Sequence, residues 1–427
     1  MRSAQRSALM FTALCFLTAR SAASAETDST AAAPPAASAP AAADVMGRLD
    51  ALTEQMQTLQ SDTDKLKRFK FSGYLQVRYE KSEASNDSVQ VASKASAYAL
   101  NTITPANQDR FYIRRGRFKL TYDSGPLSQA LLYFDGGTDR TLRLLEATVT
   151  LLDPWTVLHA HALTIGQMNV PFGYEIERSS SVRELPERSR AENVLFPGER
   201  DRGVKLVDHW TPKLETVIGV FNGGGINHPS FPNTDPTRAK DVVGRVRWTG
   251  GTVDAGASYY AGRELAPLTG PDVATDKTRF GADGEVYYAA PRLGGGSLKG
   301  EFYSGHNQNA DSVKALVAPG TAANGATLLV AGADPAHLAT DFRGAYVMWV
   351  QNLGEPLQFA ARWDTFDPNV DLDHDQFQRV SLGLNYFYDG NTRLTVAYDA
   401  VRTDKPAANG YTDPKDNLWT LQVQHKF

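Results

Sequence analysis

The sequence predicts an all-β protein, a 16-stranded antiparallel transmembrane β-barrel that follows an N-terminal periplasmic coiled-coil helix. Three observations predict this fold class. From residue 69 to residue 427, apolar side chains recur with a period of two, which is typical of strands with one apolar face. The connections between these strands alternate between short turns and long loops, as in outer-membrane barrels. The chain ends in LWTLQVQHKF, an alternating strand with a terminal aromatic residue, as in the assembly signal of such barrels.

Residues 1–25 are typical of a secretory signal peptide. Two arginines precede a short apolar run, and Ala23, Ser24 and Ala25 form a small-residue cleavage pattern. The single cysteine, Cys15, lies in this segment, so the mature chain is predicted to have no disulfide. Residues 26–44 are rich in Ala, Pro and Ser and are interpreted as a flexible linker. No later apolar run approaches the roughly 20 residues of a membrane-spanning helix, so any membrane span must consist of strands.

Residues 45–67 have the heptad pattern of a coiled coil. The apolar positions recur at spacings of four and three, with an interruption at Thr63; they are Val45, Leu49, Leu52, Met56, Leu59 and Leu66. A seam of this length is typical of several chains that coil together, since a lone helix of three heptads would be marginal. The alternative is an amphipathic helix that lies on its own protein.

The region 69–427 contains sixteen predicted strands, most of them near the length of about nine to eleven residues that a tilted transmembrane strand needs. Their ranges are 69–80, 109–123, 127–135, 140–152, 157–168, 201–209, 213–222, 240–249, 251–262, 279–290, 296–305, 342–351, 356–365, 377–388, 391–402 and 417–427. Most tryptophans lie near the short turns, and Trp363 and Trp419 lie toward the opposite strand ends. This distribution predicts two aromatic girdles at the lipid–water boundaries.

Cations occupy one face of the second strand, RFYIRRGRFKLTYD (110–123). Phe118 and Leu120 alternate with Arg117 and Lys119, so one face is apolar and the other is charged. A cation on the lipid face costs about 2–4 kcal/mol near the midplane, so we expect the charged face to line a water-filled lumen. Arg114 has the wrong parity for the lumen unless a bulge turns it. The predicted anion-binding pore lining is Arg78, Arg114, Arg115, Arg117, Lys119, Arg245 and Arg247.

The link 169–200 is predicted to fold into the lumen. It contains six acidic residues and five arginines, which indicates a loop held by ion pairs or a constriction with charged walls. Its arginines are the candidate constriction residues: Arg178, Arg183, Arg188, Arg190 and Arg200.

Other patterns point to no chemistry. His159 and His161 are predicted to share a strand face but lack a clear third metal ligand. The loop NVDLDHDQF (369–377) lacks the glycine and closing glutamate of an EF-hand and is interpreted as a solvated acidic tip. No Ser/His/acid set stands out. We therefore expect no metal, no cofactor, no catalytic residues and, at a net charge of −4, no nucleic-acid partner.

The runs IGQMNVPFGYE, ELPERS and FPGERDRGVKL resemble the phosphate-selective porin O/P family. The resemblance covers 69–427 and implies a homotrimeric, sixteen-stranded channel embedded in the lipid of the bacterial outer membrane. It also implies passive diffusion of small anions such as phosphate or polyphosphate, guided by inner-wall cations at Arg114, Arg115, Arg117 and Lys119. One alternative is a general diffusion porin with weak charge selectivity, because the chain is net acidic and the loop nearly neutral. A barrel enzyme such as a lipase is a further alternative.

Overall fold

The computed structural model of the protein describes residues 42–83, 109–137, 141–226, 235, 237–265, 274–308, 339–372, 376–403 and 416–427. The barrel is a single closed antiparallel sheet of sixteen strands. Each strand pairs with its neighbours in the chain, and the first strand pairs with the last. The predicted fold class is confirmed. The predicted signal peptide, residues 26–41 of the predicted linker, and Asp373 and Asp375 lie outside the described residues.

The strands are β1 (Phe69–Ser82), β2 (Arg110–Gly125), β3 (Ser128–Asp135), β4 (Arg143–Leu152), β5 (His161–Asn169), β6 (Arg200–Thr211), β7 (Leu214–Phe221), β8 (Asp241–Thr249), β9 (Val253–Leu265), β10 (Ala274–Ala290), β11 (Gly294–Gln308), β12 (Ala339–Asn352), β13 (Leu357–Asp367), β14 (Phe377–Phe387), β15 (Thr392–Thr403) and β16 (Leu418–Lys426). The largest differences from the predicted bounds are at the starts of β5 and β10.

Helix α1 (Ala42–Lys67) precedes the strands in the chain and begins three residues inside the segment predicted as a linker. Its apolar seam is exposed, with Met56 and Leu59 each 69% exposed and Leu52 57% exposed. The side chain of Val45 lies outside the described part of the structure. The coiled coil stays a prediction. No described helix is both long enough and apolar enough to cross a membrane.

The barrel strands present apolar side chains outward and polar side chains inward. In β16, Trp419 and Leu421 are 52% and 46% exposed, whereas Thr420 and Gln422, which alternate with them, are 2% and 3% exposed. The same alternation buries arginines and lysines of other strands inside the barrel. A sheet in water would have the opposite arrangement, so the outer surface matches a hydrocarbon environment.

Residues 153–160 form a turn, not the start of β5. The carboxylate of Asp153 accepts hydrogen bonds from the backbone N–H groups of Trp155, Thr156 and His161 at 3.0, 2.6 and 2.8 Å. Burial acts to raise the pKa of Asp153, but these bonds lower it to about 2. His159 lies in this turn with a positive φ of 48°. The expectation that His159 and His161 share a strand face is therefore wrong. No group of residues in the described ranges could hold a metal ion.

Candidate functional site

The connection between β5 and β6, residues 170–199, folds into the barrel. We call it the internal loop; it includes a short helix, α2 (Arg190–Leu195). Its side chains contact the inner faces of strands on two sides of the ring. One side includes β2 and the other includes β10. These two strands are eight positions apart in the ring of sixteen, so the two sides are opposite each other.

On one side the internal loop is held by apolar contacts. Phe172 is fully buried, and its ring centroid lies 4.8 Å from that of Phe196 and 6.4 Å from that of Tyr303 on β11. Phe196 in turn lies 5.8 Å from Tyr260 on β9. The buried loop residues Ile176, Leu185, Ala191 and Leu195 join the same cluster. Each such large side chain contributes about 1.5–3 kcal/mol when fully buried.

Three wall glycines make room for this apolar side of the internal loop. A Cβ atom at Gly281 of β10 would lie 2.9 Å from the ring of Phe172, and one at Gly344 of β12 would lie 2.8 Å from Cβ of Ala191. A Cβ atom at Gly383 of β14 would lie 2.7 Å from Leu185 Cδ2. Since carbon atoms in good contact are about 3.5–4.0 Å apart, any larger residue would push the internal loop away from the wall.

On the opposite side the internal loop is held by polar contacts. The Ser180 carbonyl accepts from Gln76 Nε2 of β1 at 3.1 Å, and the Ser180 hydroxyl accepts from Arg117 Nη1 of β2 at 3.0 Å. Next to them, Gln424 Nε2 of β16 donates to the Ser181 carbonyl at 2.9 Å. The internal loop therefore reaches from one wall of the lumen to the other.

Glu187 of the internal loop gathers three of the predicted pore-lining arginines. Its Oε1 lies 2.6 Å from Arg78 Nη1 and 2.8 Å from Arg114 Nε, and its Oε2 lies 3.4 Å from Arg115 Nη2. Arg114 reaches the lumen because the register of β1 and β2 shifts after Gln76, where Arg114 is the extra residue. This bulge is the condition on which the sequence-based prediction for Arg114 depended.

The other predicted wall cations are mostly paired. Arg117 Nε lies 2.7 Å from Asp135 Oδ2, and Arg245 Nη1 lies 2.9 Å from Asp283 Oδ2. Arg247 is half-buried two residues further along β8 and acts electrostatically on Glu177, but it forms no direct ion pair within the described ranges. The wall arginines thus serve first as structural partners of carboxylates.

The loop arginines are also largely structural. Arg188 Nε pairs with Glu192 at 3.0 Å, and the Arg188 guanidinium contacts Glu199. Arg200 lies 3.0 Å from Glu146, and Arg178 lies 3.7 Å from Glu184. Arg178 also lies 4.7 Å above the Tyr174 ring, and Arg190 lies 5.1 Å above the Phe377 ring. Arg183 is buried, with 7% of its surface exposed. Ion pairs therefore hold much of the internal loop in place.

A cavity of about 460 Å³ remains between the internal loop and the β1–β6 side of the wall. Lys119 of β2 and Lys426 of β16 line it, together with Arg117 and the serines at 179–181. Neither ammonium group has a carboxylate partner in the part of the chain that the structure describes. These two lysines are therefore the free positive charges of the cavity.

Sequence reasoning missed Lys426 and several other inward cations. Lys299 of β11 lies 2.8 Å from Glu184, Arg362 of β13 lies 3.3 Å from Glu175, and Arg379 of β14 lies 2.9 Å from Asp364. Each follows the inward parity of its strand, opposite an outward apolar residue. Strand parity alone would have found them.

Solved structures of outer-membrane proteins share this fold. The trimer form of in-vitro folded OmpT of Vibrio cholerae matches with a TM-score of 0.54 and 12% identity, over 84% of this chain and 99% of that one. An anion-selective porin from Comamonas acidovorans matches with a TM-score of 0.54 and 11% identity, over 84% and 99%. The channel DcaP of Acinetobacter baumannii matches with a TM-score of 0.52 and 12% identity, over 84% and 97%. No protein-family model and no curated protein sequence matches the chain. The chain therefore shares its fold with these outer-membrane proteins.

Proposed function

We propose that the protein is a bacterial outer-membrane porin through which small anions diffuse passively. The observation that carries the proposal is the cavity beside the internal loop, lined by Lys119 and Lys426 without carboxylate partners among the described residues. Free cations in a narrow aqueous passage lower the electrostatic barrier for anions and raise it for cations. The shared fold with outer-membrane channels, one of them an anion-selective porin, supports the proposal.

Phosphate or polyphosphate is the finer proposal for the solute. It is supported by the resemblance of the internal-loop motifs to the phosphate-selective porin O/P family. Arg117 and Arg200 also line the cavity, and guanidinium groups bind phosphate oxygens in bidentate geometry. Their carboxylate partners Asp135 and Glu146 compete for the same donors, which keeps binding weak enough for release.

Planar-bilayer recordings test the anion proposal. With the full-length protein under a KCl gradient, we expect a reversal potential that favours chloride. Lys119→Gln combined with Lys426→Gln should move it toward zero, whereas Lys213→Gln, which removes an exposed lysine of the β6–β7 turn, should leave it unchanged. A wild-type reversal potential that favours potassium would refute anion selectivity. Parallel recordings in chloride, phosphate and an organic anion then rank the solutes.

A general diffusion porin with weak charge selectivity is the second candidate. It is favoured by the extent of charge pairing in the lumen, where Arg78, Arg117, Arg245 and Arg362 all have carboxylate partners. In this case the reversal potential would lie near zero, and the double lysine variant would not move it.

We also propose that the protein is a homotrimer whose α1 helices form a coiled coil. The exposed seam of Leu49, Leu52, Met56 and Leu59 would be buried between helices of three copies. Deleting residues 45–67 and measuring the mass of the detergent-extracted complex tests the role of the helix, because a trimer that persists does not need it. Sequencing the mature N-terminus tests cleavage of the signal peptide after Ala25.

A further inference from the structure

Four guanidinium groups are concentrated around one carboxylate of the internal loop. Arg78, Arg114 and Arg115 each contact the carboxylate of Glu187, with N–O distances from 2.6 to 3.4 Å. The fourth, Arg183, lies four residues earlier in the internal loop and lines a small cavity together with Glu187. Glu80 also contacts Arg78, at 3.3 Å, and Glu175 lines the small cavity beside Arg183. At Glu187 itself, three guanidinium groups therefore contact a single carboxylate.

Two of these guanidinium groups have donors that Glu187 leaves unused. The Nε atoms of Arg115 and Arg183 are buried and have no hydrogen-bond partner among the described residues. Buried donors without partners are uncommon in folded proteins. Here they show that the arginine group can donate more hydrogen bonds than one carboxylate accepts.

The geometry points to an oxyanion-binding site that the protein fills with its own side chain. We propose that Glu187 acts as a built-in competitor that occupies this site and thereby limits both the anion preference of the pore and its affinity for phosphate. A carboxylate presents two oxygens to the arginines, whereas phosphate presents more oxygens in a similar space and can use the remaining donors. The inference rests on the proposed function as an anion channel and names a residue that sets its specificity.

The backbone on both sides of Glu187 is fixed, so its carboxylate cannot swing out of the site freely. The Pro186 carbonyl accepts from Arg78 Nη2 at 2.9 Å, and the Glu187 carbonyl accepts from Arg362 Nη1 at 3.0 Å. Burial acts to raise the pKa of Glu187, but the guanidinium groups of Arg114, Arg115 and Arg78 hold it well below its usual range. The competitor thus stays charged.

Glu187→Gln removes the charge while it keeps the shape of the side chain. With full-length protein in planar bilayers, we expect the reversal potential to shift toward chloride relative to wild type. Inorganic phosphate should block the chloride current at a concentration at least about tenfold lower than in wild type, as expected for one regained charge-assisted hydrogen bond.

Two controls separate release of the site from other effects. Glu184→Gln removes the same charge from the same loop and the same small cavity. Glu184 pairs with Lys299 of β11 and not with Arg78, Arg114 or Arg115, so phosphate block should stay near wild type. Gly344→Ala displaces α2 of the internal loop from the opposite wall without a change of charge. If either control reproduces the gain in phosphate block, the inference is wrong, because loop charge or loop position would then explain it.

A third variant, Glu187→Asp, tests the inference independently of whether Glu187→Gln folds. Glu187→Asp keeps the charge but withdraws it by one methylene, so it should give a phosphate block between wild type and Glu187→Gln. Phosphate block identical to wild type in both Glu187 variants would overturn the inference even in a clearly anion-selective channel. Cation selectivity in the wild type would instead overturn the proposed function, which the gradient experiment detects separately.

Discussion

Replacing Gly344 by alanine tests whether the barrel wall determines where the internal loop lies. The new Cβ atom would lie 2.8 Å from Cβ of Ala191 in α2 and 3.1 Å from the Phe366 ring. Good contact between carbon atoms requires about 3.5–4.0 Å, so α2 must move by about 1 Å. Alanine at 191 has no other rotamer, so the clash cannot be relieved by a side-chain rotation.

The energetic consequence follows from the size of this clash. Forcing one extra methyl into a packed site costs about 1–3 kcal/mol. We call the internal loop docked when it packs against the wall as in the structure, and undocked when it has moved away. If the clash destabilises only the docked state, the undocked population rises by about 5- to 150-fold. The sixteen strands keep their pairing, so the barrel itself should unfold at nearly the same temperature.

Limited trypsin digestion of the folded protein in detergent measures this change, since the internal loop contains Arg183 and Arg188. When opening is fast, the cleavage rate follows the undocked population. Gly244→Ala is the control, because a Cβ atom there meets nothing within 4 Å. The double variant Gly344→Ala with Ala191→Gly should restore protection. Equal cleavage of Gly344→Ala and Gly244→Ala would refute the role of the wall glycine.

Three further variants extend the argument to the apolar contacts, the β4–β5 turn and the lumen charges. Phe172→Ala removes a fully buried ring that packs 4.8 Å from Phe196 and should cost about 3–5 kcal/mol of loop docking, measured by the same digestion. Asp153→Asn should lower the thermal stability at pH 7. The folded-state pKa of Asp153 is lowered to about 2, so the contribution of its carboxylate is complete above about pH 5. The difference from wild type should shrink as the pH falls through 2 and vanish below it. Arg117→Glu should shift the reversal potential toward potassium more than Lys119→Gln does, because it reverses a charge and leaves Asp135 uncompensated.

The barrel was predictable because its signals are local. The alternation in β16 and the turn residues between strands depend on neighbours a few positions away. The errors in strand bounds have physical causes. β10 begins at Ala274, not residue 279, because Thr275 and Lys277 continue the inward face while Asp276 makes the outward face polar. The start of β5 was predicted too early because the Asp153 carboxylate holds residues 155–160 in a turn despite their apolar character.

The charge pairing of the lumen was not predictable from the sequence. The inward parity of Arg115 and Arg117 follows from alternation, but their partners depend on the path of the internal loop. Glu187 is 109 residues from Arg78 along the chain and 73 residues from Arg114. The bulge that turns Arg114 inward is likewise a property of the pairing between β1 and β2. Six acids and five arginines in one link indicated ion pairs without indicating which ones.

The wall strand β12 contains a signal that would have located the docked side of the internal loop. Its inward residues Phe342, Tyr346 and Met348 are apolar or aromatic, and so are its outward residues Val347 and Trp349. A strand with water on its inner face has no reason to be apolar on both faces. The sequence of β12 therefore indicates that protein covers its lumen side, which leaves the β1–β6 side, with its free lysines, for the proposed passage of ions. Selectivity would then depend on the charges of that side, including the arginine group around Glu187, and little on the arginines that pair with carboxylates on the opposite wall.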